Sequence, residues 1–343
     1  MAFFLSHISA ATFWRTVYSC KRRPLQDESL SPTDNSNCNA RDLRNALPSW
    51  ADCDFEMLQG GPFHVLARTF TGLRKSPRVK SRLWTAPFPG CSFYRLSDDL
   101  FIASPEFTFL LMAADCTLGQ LIAYGCEICG KYSFDPRCDR GFRTRSVSLT
   151  TKKLLERFLE SASGLDGTLK ARRALHYIFE GAESPMETLV CLLLCAPYRL
   201  GGYGLEKPLS NKTIRLSKNA RAIARKRNCR IDLLWEGPRL AVEFLGKYDH
   251  ASELAFEPDR QRANALVEMS YTVIELTWSQ VRNWEAFELI ALRIARATGK
   301  RIANRDKGLT SKRKALRDGL FAWNASYGHP GTAQGPTARD WPV

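Results

Sequence analysis

Residues 229–235 (CRIDLLW) and 239–245 (RLAVEFL) are two apolar runs on either side of the turn Glu236-Gly237-Pro238, the pattern of a β-hairpin. Ahead of them, Ser184-Pro185-Met186-Glu187 opens a helix that runs to about Cys195. Pro258 opens another helix to about Met269, residues 271–277 (YTVIELT) read as a strand, and residues 279–297 read as a helix with Val281, Trp284, Phe287 and Leu289 among its apolar positions. The order helix, strands, helix, strand, helix predicts an α/β fold with a mixed sheet flanked by helices. Upstream, residues 62–69 and 92–104 hold short apolar or alternating runs broken by Pro and Gly, and read as strands. Arg74, Lys75, Arg78, Lys80 and Arg82 fall in the loop between them. Ser104, Pro105 and Glu106 supply a cap, a first position and a first-turn acid for a helix, and more helix is expected over 117–130 and 148–162. The chain thus divides into 1–60, a helical fragment near residues 9–14 followed by an irregular polar connector; 61–165, an α+β region; 169–300, a second domain; and 301–343, a basic helical stretch with a Gly/Pro-rich, partly disordered end.

The informative pair is Asp232 and Glu243. Side chains alternate along a strand, so if Trp235 pairs with Leu240, Asp232 stands directly opposite Glu243 on one face. Like charges across a ladder repel, and burial raises the cost. A divalent cation, an Arg or Lys such as Arg230, or a shared proton would each offset it. Mg²⁺ takes one or two carboxylates and leaves its remaining sites for water and substrate phosphates. The competing reading is a shifted register that exposes one of the acids.

Charge then narrows the partner. Fifty Lys and Arg against 35 Asp and Glu give +15, which favours a polyanion, nucleic acid first. Residues 212–230 concentrate this charge: Lys212, Arg215, Lys218, Arg221, Arg225, Lys226, Arg227 and Arg230 stand there without an acid. The run lies just ahead of the acidic hairpin, where it can follow phosphates; a solvated surface is the alternative. No stretch reaches the roughly 20 apolar residues of a membrane span, so no membrane partner is expected. The first residues, MAFFLSHISAATFWR, lack a basic n-region and a cleavage site, and the eleven cysteines are scattered and odd in number. The first feature gives no expectation of a signal peptide, and the second favours reduced thiols in a cytoplasm. Cys126-x-x-Cys129 with Cys138 lacks the second pair of a structural zinc site, and His7, His64, His176 and His329 show no ligand spacing. No phosphate-binding Gly-rich motif occurs.

The string Asp232…Glu243-Phe244-Leu245-Gly246-Lys247-Tyr248 resembles the PD-(D/E)xK restriction-endonuclease-like superfamily. Within it, the similarity is to the very-short-patch-repair-like domains of unknown function. Glu187 matches the helix acid, Asp232 the strand acid and Glu243 the second acid; Asp259-Arg260-Gln261-Arg262 with Leu266 matches the later helix, and YTVIELTW the closing strand. The resemblance covers about residues 180–285. The pieces LSHISAATFW and IASPEFTFLLMA are similar to an AbiEi-type antitoxin-like region that precedes such domains. Leu245 departs from the pattern, which has Lys there. Lys247 shares the parity of Glu243 but lies about 13 Å along a straight strand, so a bend at Gly246 is needed to return it to the acids; His250 is a second candidate.

The resemblance implies a restriction-endonuclease-like core that hydrolyses phosphodiesters with Mg²⁺ or Mn²⁺. Asp232 and Glu243 are its expected metal ligands, Lys247 its cation and Glu187 a supporting acid. Arg260 and Arg262 hold the site or grip phosphate. For Glu187 the residues alone favour a capping box, in which Ser184 caps the helix and Glu187 reaches back to the Ser184 N–H. The competing function is a DNA-binding, antitoxin-like regulator whose site is inactive. DNA is the expected polymer, RNA stays open, and a homodimer is compatible with either function.

Overall fold

The computed structural model describes residues 3–16, 25–26, 61–73, 75–138, 140–245, 253–302 and 307–328. The expected connector within 21–60, apart from Leu25–Gln26, lies outside these residues, as do Arg74, Gly246, Lys247, His250 and the chain end after residue 328. The fold is α/β with mixed sheets, in two compact units: residues 1–178 with 323–335, and residues 179–322 with 336–343.

The first unit is built on a seven-stranded sheet. Its strands are β1 (Phe3–Leu5), β2 (Leu25–Gln26), β3 (Phe63–Ala67), β4 (Lys75–Ser76), β5 (Val79–Leu83), β6 (Phe93–Arg95) and β7 (Leu100–Ala103), in the order β2-β6-β7-β1-β3-β5-β4. β1 runs parallel to β7 and antiparallel to β3. It was not expected, because three consecutive apolar residues carry no period of their own. Residues 75–76 and 79–83, expected as loop, are strands joined by a turn: Val79 and Ser81 face the core while Lys80 points to solvent, a period of two set by the pairing of β5 with β3. The helices are α1 (His7–Thr16), α2 (Pro105–Met112), α3 (Leu118–Cys129), α4 (Lys152–Ser161) and α5 (Thr168–Tyr177), and a hairpin joins β8 (Tyr132–Phe134) to β9 (Phe142–Thr144). Ser104 caps α2 as expected, its Oγ accepting from Phe107 N at 3.1 Å. Phe4, Phe93, Phe101 and Phe107 form an aromatic core, with Phe4 and Phe93 centroids 4.9 Å apart. Arg15 donates through Nε and Nη2 to both oxygens of Glu127 at 2.7 Å, a buried fork whose charges are mutually neutralised. Cys126 and Cys129 are buried on α3.

The second unit carries a four-stranded sheet, β10 (Leu209–Arg215), β11 (Asn228–Trp235), β12 (Leu240–Leu245) and β13 (Thr272–Thr277), in sequential order. The first three are antiparallel and β13 is parallel to β12. That parallel step needs a crossover, and α8 (Glu253–Glu268) supplies it. Before it come α6 (Pro185–Cys195) and α7 (Lys218–Ala224). Leu216, Ala220, Ala224, Ile231, Leu234, Ala241, Ala265 and Leu266 form one buried cluster that ties α7 and α8 to the sheet. The helix expected from Pro258 starts five residues earlier, so Pro258 lies inside α8 and leaves the Leu254 carbonyl without its helical N–H partner. The expected closing helix is two, α9 (Trp278–Arg282) and α10 (Trp284–Ala297), because Asn283 stops one and caps the other, its Oδ1 accepting from Ala286 N at 2.9 Å. Val281 and Phe287 are buried there, whereas Leu289 is 66% exposed. The region after residue 300 contains a 22-residue helix, α11 (Lys307–Gly328), on which Arg313 is buried.

Candidate active site

The register Trp235 opposite Leu240, Leu234 opposite Ala241 and Leu233 opposite Val242 brings Asp232 to the position facing Glu243. The paired ladder ends there. The next backbone donor on β12, Phe244 N–H, gives its hydrogen to Asp232 Oδ2 at 2.8 Å. A side-chain carboxylate thus takes the place of a backbone carbonyl, as Asp does when it competes with secondary structure.

The same row continues across the sheet. Asn211 lies on β10 between Ser210, opposite Leu233, and Lys212, opposite Ile231, and so falls level with Asp232. Its φ of +52 interrupts the β10–β11 ladder at that level, in a left-handed conformation that Asn tolerates better than most residues. On the other side Glu243 is in register with Glu275 of β13, which is exposed. Asn211, Asp232, Glu243 and Glu275 therefore form one polar row across four strands. Sequence reasoning missed Asn211 and Glu275. Glu275 interrupts the apolar run YTVIELT and was legible as such; Asn211 is one polar residue among many in β10.

Glu187 joins this row from the first turn of α6. It is 6% exposed. Ser184 Oγ accepts from Glu187 N at 3.2 Å, so Ser184 caps the helix as expected. The capping-box return bond differs. Glu187 accepts from Ser184 Oγ at 2.8 Å and from Glu183 N at 2.9 Å, one residue before the expected Ser184 N–H. Asn211 Nδ2 donates to its Oε2 at 2.6 Å, which draws the carboxylate toward the sheet. Burial raises the Glu187 carboxyl to about 7; the charge of Asp232 adds to the rise and the hydrogen bonds oppose it. Burial also raises Asp232, against the Phe244 N–H, Arg262 and Arg230, which favour its charged form.

Glu243 is 3% exposed, and Arg262 Nη2 on α8 lies 3.0 Å from its Oε2. Arg260, two residues earlier, is exposed. Arg230 pairs with Glu183 at 2.8 Å, not with Asp232. In the basic run, Lys212, Arg215, Lys218, Arg225, Lys226 and Arg227 are exposed on β10, α7 and the turn into β11. Arg221 is half-buried and donates Nε to Leu216 O at 2.8 Å, which braces the start of α7. Asp232, Glu243, Glu187 and Arg262 are thus brought together, while Lys247 lies outside the described residues. Among the described residues no helix is long and apolar enough to cross a membrane. Compared with protein-family models, curated proteins and solved structures, this chain gives no match.

Proposed function

We propose that the second unit hydrolyses nucleic-acid phosphodiesters with a divalent cation, Mg²⁺ or Mn²⁺, held by Asp232 and Glu243. The observation that carries this reading is the register of β11 and β12, which sets two carboxylates opposite each other where the ladder ends. The donor set suits a hard cation: both ligands are carboxylate oxygens, and Mg²⁺ takes one or two of these. Among the described residues no group of three or more His, Cys, Asp or Glu side chains gathers that could hold a metal ion, and this reading rests on the two carboxylates alone. Once bound, such a cation supplies Lewis-acid polarisation of the phosphate and hydroxide near neutral pH.

The remaining steps belong to the chain's own residues. Glu187, whose carboxyl burial raises to about 7, is the acid of this group placed to hold a proton at its Oε atoms. Arg262 offers guanidinium donors to charge developing on the phosphate, the part the superfamily gives to Lys. The exposed Lys212, Arg215, Lys218, Arg225, Lys226 and Arg227 hold the polymer by its phosphates. The order of elements supports this assignment. The resemblance to PD-(D/E)xK nucleases implies an acid-bearing helix, two acid-bearing strands, a helix with Asp and Arg and a closing hydrophobic strand, and the elements of the second unit follow in that order. DNA is the proposed polymer, in the cytoplasm, in defence or repair behind an antitoxin-like region.

A second reading has its own support. Leu245 stands where the superfamily carries Lys, and Arg262 already neutralises Glu243. These features suit a DNA-binding regulator with a silent site. Incubating the purified chain with plasmid and single-stranded DNA, with Mg²⁺ or Mn²⁺ and again with a chelator, separates the two: nicking that the chelator stops supports the nuclease, and binding without nicking supports the regulator.

A further inference from the structure

The first unit carries a half-open cavity of about 510 Å³ that the proposed nuclease chemistry does not use. Small-ligand sites span about 300–1,000 Å³. Pairing of Leu5 on β1 with Val65 on β3 brings together two histidines far apart in sequence, His7 and His64, with ring centroids 6.2 Å apart. His7 lines the cavity and is 3% exposed. Its backbone has φ +46, a left-handed conformation uncommon outside glycine, and strain of this kind collects at ligand sites. His7 Nδ1 shares a hydrogen with Ser6 Oγ at 2.9 Å, which leaves Nε2 for another partner.

Arg82 and Trp84 also line the cavity. One Arg82 amino group pairs with Asp115, but its Nε is buried and makes no hydrogen bond among the described residues. Trp84 Nε1 and His64 Nδ1 are in the same condition. Arg82 and Trp84 line the cavity and His64 lies beside His7, so these nitrogens stand at or next to it without a protein partner among the described residues.

The field here is positive. Burial, then Arg82, His64 and Lys80, hold the His7 imidazole down to about 3. Burial, Lys80 and Arg82 hold His64 down to about 4, with Asp115 acting the other way. Both rings are therefore neutral near pH 7 with one N–H each; with Ser6 Oγ donating to Nδ1, His7 carries its N–H at Nε2. Of the nearby acids, Asp115 is engaged by Arg82 and Asp166 is exposed. Neutral donors under a cationic field suit an anion and disfavour a metal ion, and no metal-ligating group of three gathers among the described residues. Much of the remaining wall is apolar.

We propose that this cavity binds a small organic acid, with its carboxylate against His7 and Arg82 and an apolar or aromatic body along Leu66, Leu83, Trp84 and Leu110. The test is calorimetric titration of the full chain with 3-phenylpropanoate and with octanoate, each against its neutral amide. Saturable binding of at least one acid is expected, tenfold or more tighter than its amide. Arg82→Gln should weaken the acid tenfold or more and leave the amide unchanged, with folding checked by melting. Ala114→Trp, at an exposed position of the wall, should abolish binding of both, and it decides the matter if Arg82→Gln does not fold. Equal affinity for acid and amide, no saturable binding of either acid, or acid binding that survives Ala114→Trp would overturn the proposal.

Discussion

Asp232 holds the backbone N–H of Phe244 at 2.8 Å, one residue past Glu243, the acid it faces across the hairpin. One carboxylate thereby takes the next hydrogen bond beyond the ladder, at the level of a second carboxylate on the neighbouring strand. The two functions separate by substitution. Asp232→Asn keeps an acceptor for Phe244 N–H and removes a like charge, so denaturant unfolding should show unchanged or higher stability. Asp232→Ala leaves that N–H without its acceptor and should cost about 1–3 kcal/mol. Equal destabilisation by both would assign the loss to charge and not to the hydrogen bond.

Glu187 makes stability depend on pH. Its carboxyl is raised from 4.5 to about 7 in the folded protein, so the folded state favours the protonated form. Its contribution is fully present below about 4.5 and is lost as pH rises through about 7. Relative to Glu187→Gln, the wild type should lose about 3 kcal/mol between pH 4.5 and pH 8. Unfolding curves of both proteins across that window measure the difference; parallel pH profiles would place Glu187 in water-like surroundings.

Arg262 and Glu243 form a pair with unequal burial, 35% and 4% exposed at their side chains. Arg262→Leu takes this cation from a buried carboxylate and should cost about 1–3 kcal/mol, below the 3–5 kcal/mol of a fully buried pair because solvent screens the arginine. Glu243→Gln should recover most of that loss in the double variant. A double-mutant cycle with no coupling would remove Arg262 from the site.

The hairpin and its facing acids were legible because period-two alternation and one turn fix both face and register. Arg262 was legible only through the resemblance, since nothing local shows that α8 carries it over β12. The strand Phe3–Leu5 was not legible: its partners, Val65 and residues 100–102, lie far away in sequence. The approach of His7 and His64 was not legible for the same reason, because these two meet through strand pairing. Lys80 and Arg82 looked like loop because basic residues and Pro77 surround them, although Val79 and Ser81 already alternate with them.

The basic run makes a prediction about salt. Arg225, Lys226 and Arg227 are exposed between α7 and β11. Replacing all three with Ala should weaken duplex-DNA binding across sequences and reduce the slope of log K against log salt by about 2.7. Fluorescence anisotropy from low to moderate salt reads the slope; an unchanged slope would make these residues solvated surface.

The most direct measurement is the single-turnover rate of Mg²⁺-dependent cleavage for the wild type, Asp232→Asn and Glu243→Gln, with DNA affinity measured on the same preparations. Each substitution keeps size and hydrogen-bonding capacity while removing one ligand charge. The predicted result is cleavage by the wild type, a loss of at least about 10²-fold in each variant, comparable to removing one stabilising group from a transition state, and nearly unchanged affinity. Cleavage that persists in both variants, or a wild type that binds DNA and never cuts it with either cation, would contradict the assignment of Asp232 and Glu243 as a catalytic metal site.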